Sequence, residues 1–132
     1  MKTKTKDQII NYINKNKKWL IGNVIKIVST DTANTPPYGN ENNGQEIIEE
    51  IFKNMGLKID RFSPDIVDDF KDSKVYLKGR DYTNRDNLVG FTGEGKKGTL
   101  VFNGHMDTVP SHIFKWTRTK PFEPKLIDGK IY

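Results

Sequence analysis

An α/β chain, helices beside short strands, is what this sequence predicts, and three observations predict it. Apolar residues recur at helical spacing in two stretches of the first half, compact apolar or alternating runs follow them, and an Asp-Gly pair near the end separates two further runs. With 132 residues, the starting expectation is one domain spanning 1–132.

Thr5 and Gln8 have the spacing of a capping box, and Ile9, Ile13, Leu20, Val24 and Val28 follow as a stripe that Ile10, Ile21 and Ile25 widen. The spacing predicts a helix over 7–28, with Trp19 beside the stripe in a packing role. Residues 29–43, rich in Thr, Asn, Pro and Gly, read as a loop. Ile47, Ile48, Ile51, Phe52 and Met55 mark one face of a second helix, closed by Gly56, a residue suited to the left-handed position after a helix end. Alternation over 57–62 predicts a strand. Residues 63–86 form a long polar connection without a period, of a length at which loops often serve function. Residues 87–92 and 99–103 read as neighbouring strands joined by a Gly-rich turn, and 125–127 with 130–132 read as a hairpin around Asp128-Gly129. The turn at 93–98 also spells G-x-G-x-x-G. That dinucleotide fingerprint needs a helix N-terminus after it, whereas a strand-like run follows here, so the hairpin turn is the better reading.

The composition narrows the function classes. A hydrophobic share of 34% against 30% charged, with mean hydropathy −0.71, describes a water-compatible but core-poor chain. No apolar run approaches the roughly 20 residues of a membrane span, and the basic start lacks the apolar stretch of a signal peptide, so the cytoplasm is expected. The net charge of +5 comes from 22 basic residues interspersed with 17 acidic ones and no aromatic stacking platform, which argues against nucleic acid as a partner. With no cysteine, a metal here is held by nitrogen and oxygen.

The chemistry-bearing stretch is Asn103-Gly104-His105-Met106-Asp107-Thr108-Val109-Pro110, directly after the apolar run at 99–102. His105 and Asp107 stand two apart, so with strand geometry both leave the same face, at the C-terminal strand end where α/β sheets place ligands. An imidazole can bind a transition metal, and a neighbouring carboxylate can orient it. His112 reads as loop surface.

Downstream come Trp116, then Pro121-Phe122, then Ile127-Asp128-Gly129-Lys130-Ile131-Tyr132. Together with the His105 segment this order resembles the zinc metallopeptidase and deacylase family of acetylornithine deacetylase, succinyl-diaminopimelate desuccinylase and aminoacylase. Looser likeness runs upstream through Pro36-Pro37-Tyr38-Gly39-Asn40-Glu41 and Tyr82-Thr83-Asn84-Arg85. The resemblance implies the N-terminal, incomplete part of a zinc-exopeptidase-like catalytic domain, a mixed sheet flanked by helices. It implies His105 as a ligand to one of two Zn2+ ions, with Co2+ as a possible substitute, and Asp107 as the active-site acid that orients it. The implied reaction is hydrolysis of the amide bond of an N-acyl amino acid or small peptide. The other ligands, the glutamate base and the lid or dimerisation domain are implied to lie beyond Tyr132, with a homodimer for the complete enzyme and no activity for this chain alone. The alternatives are a non-catalytic remnant or binding module, and a dipeptidase or aminotripeptidase of the same family.

Overall fold

The computed structural model describes residues 2–93 and 100–132. Two helices open the chain, α1 (Lys2–Lys15) and α2 (Lys17–Val28), so the single helix predicted over 7–28 begins earlier and is divided at Asn16. The Asn16 side-chain amide donates to the Tyr12 carbonyl at 2.8 Å, the carbonyl that its own backbone N–H reaches at 3.1 Å. A side chain inserted into the helical ladder in this way breaks its continuity. Thr5 and Gln8 lie inside α1 and do not cap it, because the lysines and threonines before them include no helix breaker. The apolar stripe does not form the core its period predicts. Ile9, Ile13, Leu20, Val24 and Val28 are all exposed.

Within the predicted loop at 29–43, β1 (Asn34–Thr35) and β2 (Tyr38–Gly39) pair antiparallel around Pro36-Pro37. Strands of two residues are too short to show a period, so only the turn chemistry of this segment was visible in the sequence. The second helix, α3 (Glu41–Asn54), ends as predicted: Gly56 takes a φ of 73°, its N–H reaches the Lys53 carbonyl, and the Leu57 N–H reaches the Phe52 carbonyl, both at 3.0 Å. Those two bonds make a Schellman cap, whose positive φ glycine adopts without a side-chain clash.

The chain then forms β3 (Lys58–Phe62), which pairs antiparallel with β4 (Asn87–Phe91) from Lys58 opposite Phe91 to Phe62 opposite Asn87. Phe52 of α3 lies against this ladder at Gly90. The connection between the two strands carries short 3-10 turns at Pro64–Ile66 and Phe70–Asp72, and the Phe70 ring meets Tyr76 and Tyr82 edge-on at 5.4 and 5.1 Å.

The partner of β4 is thus β3 and not the described part, 100–103, of the strand predicted over 99–103. Residues 100–103 form no strand, and Leu100, Val101 and Phe102 are 71%, 83% and 88% exposed. An apolar run becomes a strand only where another strand takes up its N–H and C=O groups, and among the described residues none pairs with it. The Gly-rich turn predicted at 93–98 lies outside the described residues except for Gly93. The last pair, β5 (Leu126–Ile127) and β6 (Lys130–Ile131), is the predicted hairpin. Asp128 and Gly129 take φ of 49° and 76°, the two positive values that a type I′ turn demands.

Helices with antiparallel strand pairs are therefore the architecture, in keeping with the α/β expectation, but the expected mixed sheet is not assembled. Among the described residues there are three separate two-stranded ladders and one parallel bridge, Ala33 to Thr108. The interior is small. Thr32, Ala33 and Glu41 are buried, and no large side chain is fully buried among the described residues. No described helix is long and apolar enough to cross a membrane.

Polar contacts do much of the joining. Glu41 at the start of α3 pairs with Arg85, while Arg61 of β3 reaches Glu49 at 2.9 Å and Asp86 at 2.8 Å. Asn42 accepts from the Asp86 N–H at 2.8 Å and Gln45 donates to the Asp86 carbonyl at 3.0 Å, so one polar face of α3 clasps the chain just before β4.

Candidate functional site

The segment with His105 and Asp107 is fixed to the rest of the chain through residues 32–34. Thr108 donates its N–H to the Thr32 carbonyl at 3.1 Å, and the Asn34 N–H donates to the Thr108 carbonyl at 2.8 Å, which together make the parallel bridge. The Thr32 hydroxyl adds a bond to the Met106 carbonyl at 2.9 Å. From the other side, Gly44 of α3 lets Met106 come close: a Cβ on Gly44 would stand 1.9 Å from the Met106 sulfur and 2.8 Å from the Thr32 methyl. Residue 44 therefore has to be without a side chain for α3 to seat against this segment.

Side chains alternate along it although it is no strand. Met106 and Thr108 face an apolar cavity of about 270 Å³, which Val28, Phe114, Trp116 and Phe122 also line. His105 and Asp107 project away from it and meet each other, with His105 Nδ1 at 2.8 Å from Asp107 Oδ1. Sequence spacing alone placed these two on one face, and the geometry brings them into contact. The ring is 85% exposed and the carboxylate 35%, so the second ring nitrogen, Nε2, is open to solvent.

Two further side chains complete the arrangement. Asp107 Oδ2 accepts from the Asn34 side-chain amide at 3.0 Å, and the Asn34 carbonyl oxygen accepts from the Arg80 guanidinium. The Asn34 bond is the main reason that the Asp107 carboxyl is held below the usual carboxylate range; the His105 contact acts in the same direction, against partial burial. Asp107 is thus a firmly anionic acceptor between two donors. Neither Asn34 nor Arg80 was identifiable from the sequence. They lie 73 and 46 positions from the groups they bind, in segments whose composition signals only turn and loop.

His112 sits exposed in a 3-10 turn, Ser111–Ile113, as the sequence suggested. Trp116 folds back so that its ring N–H donates to the Ser111 carbonyl at 2.8 Å, which closes the loop beneath the cavity. Trp116, Pro121 and Phe122, separated in sequence, share that cavity wall. No group of three or more His, Cys, Asp or Glu side chains suited to a metal occurs among the described residues. Among the described residues, the pair therefore presents a single exposed ring nitrogen beside a carboxylate. Compared with known proteins, the chain matches no family model and no solved structure.

Proposed function

We propose that this chain forms the N-terminal part of a metal-dependent hydrolase that cleaves the amide bond of N-acyl amino acids or small peptides, similar to acetylornithine deacetylase and succinyl-diaminopimelate desuccinylase. The observation that carries the reading is the His105–Asp107 contact: an imidazole whose Nδ1 is engaged by an anchored carboxylate and whose Nε2 faces solvent. Metal-ligating histidines are generally held in this way, the carboxylate fixing the tautomer and raising the basicity of the ligand nitrogen. The order of the His105, Trp116, Pro121-Phe122 and Asp128-Gly129 segments supports it by resemblance.

In this reading His105 supplies one ligand to Zn2+ or Co2+ through Nε2, and Asp107 orients it. A zinc site takes three or more protein ligands, so the others, and the glutamate that moves the proton to the leaving nitrogen, come from further sequence. When bound, such an ion would supply the acidification of a water toward neutrality, for attack on the amide carbonyl. Catalysis by the 132-residue chain alone is not expected.

Zinc and cobalt titration by calorimetry tests the assignment, with N-acetyl and N-succinyl amino acids as trial substrates. Weak binding that His105→Ala abolishes and His112→Ala spares is the expected result, with Asp107→Asn weakening it about 10- to 100-fold. Binding that depends on His112 but not on His105 would place the metal elsewhere, and turnover by this chain without added sequence would contradict the division of the site.

A further inference from the structure

We infer that Asn34 and Arg80 are positioning residues for His105, which they hold in the tautomer that presents the Nε2 lone pair to solvent. The inference rests on the reading of His105 as a metal ligand, since that is what makes the tautomer matter. Its basis is the directionality of one row of hydrogen bonds. A guanidinium can only donate and a carboxylate only accepts, so a side chain lying between Arg80 and Asp107 has to accept on one end and donate on the other. The Asn amide does both, and from two separate atoms. Its oxygen faces Arg80 and its nitrogen faces Asp107 Oδ2 at 3.0 Å, and the two charged neighbours fix that orientation.

The row then continues to the ring. With Oδ2 occupied by Asn34, Asp107 Oδ1 is directed to His105 Nδ1 at 2.8 Å, and an anionic acceptor there requires that a neutral ring carry its proton on Nδ1. Nε2 is left as the acceptor. Both positioning residues are held by backbone bonds at or next to them: the Asn34 N–H bonds the carbonyl of Thr108, the residue after Asp107, at 2.8 Å, and the Asp81 N–H next to Arg80 bonds the Pro37 carbonyl at 2.9 Å. The row therefore joins side chains of the loop before β4, of β1 and of the His105 segment, stretches that backbone bonds already hold next to one another.

The test is the tautomer of the metal-free chain, read from the ring ¹⁵N shifts at a pH of about 9, above the ordinary imidazole range. The chain has two histidines, so exposed His112 serves as the reference in the same spectrum. His105 should be mainly the Nδ1–H form and distinct from His112. Asn34→Asp, which sets a second carboxylate against Asp107, should move His105 to the populations of His112. Arg80→Met, which frees the Asn34 amide to turn over, should move it part of the way, and Arg80→Lys, which restores a donor, should return it. If Asn34→Asp disturbs the fold, seen as changed amide shifts in β3 and β4, the two Arg80 variants decide alone. A His105 ring that matches His112 in the unaltered chain, or that ignores the Arg80→Met change, overturns the inference. Zinc titration of the same samples is a separate readout: a biased tautomer with no metal uptake at His105 leaves the row standing and removes the hydrolase reading.

Discussion

The two halves of the molecule are held together by different means. Around α3, β3 and β4, a helix with both ends defined lies on a five-residue ladder, and ion pairs from Arg61 and Arg85 close its edge. Residues 100–124, which carry His105 and Asp107, contribute no ladder of their own and depend on the bridge to residues 32–34. A pair of chemical groups can thus be well oriented on a segment that is sparsely packed. Directional bonds to a few fixed atoms orient the pair, whereas packing sets how much free energy it takes to release it.

The largest effect is expected where the first half is cut. Arg85→Ala leaves Glu41, 8% exposed, without its counter-ion, and should cost about 3 kcal/mol in urea unfolding because a buried charge is left uncompensated. An unchanged midpoint would mean that the clasp is ornamental and that the two halves do not differ in kind. A smaller and more local effect belongs to Thr32→Val, which keeps shape but removes the hydroxyl bond to the Met106 carbonyl. About 1 kcal/mol should be lost, with faster hydrogen exchange at Thr108 and Asn34 and little change in β3 and β4. The smallest concerns pH. Because Asp107 titrates below the usual carboxylate range when folded, its contribution is present above the ordinary value near 3.9 and lost as pH falls through the lower folded one. The Asn34 side-chain amide signals should then sharpen toward a freely rotating group on acidification, and Asp107→Asn should show that state at neutral pH.

How legible each half was follows from the same contrast. Gly56 after the Ile47–Met55 face and Asp128-Gly129 between two apolar runs are local signals, carried by φ preferences that need no distant partner, and both elements formed where expected. Residues 100–102 carry an equally strong strand signal, but a strand also needs a neighbour, which is a property of the whole chain. At the site, the spacing of His105 and Asp107 anticipated their contact, because alternation of side chains holds for any extended backbone. Asn34 and Arg80 were illegible since hydrogen bonds across such separations leave no trace in a local pattern. The Arg61 and Arg85 pairs were hidden for the same reason, in a chain where nearly a third of the residues are charged.

The interruption at Asn16 turns the N-terminal region into a lever. A helix of 14 residues is about 21 Å long, so a change of 10° at its base carries the far end about 4 Å sideways. The same change leaves α2 where it is, because Leu20 already bonds back to the Asn16 carbonyl at 2.9 Å and starts a new ladder on the near side of the pivot. Ile9, Tyr12 and Ile13 ride on that arm about 4 to 11 Å from the pivot, so the same 10° would move this exposed apolar surface by roughly 1 to 2 Å.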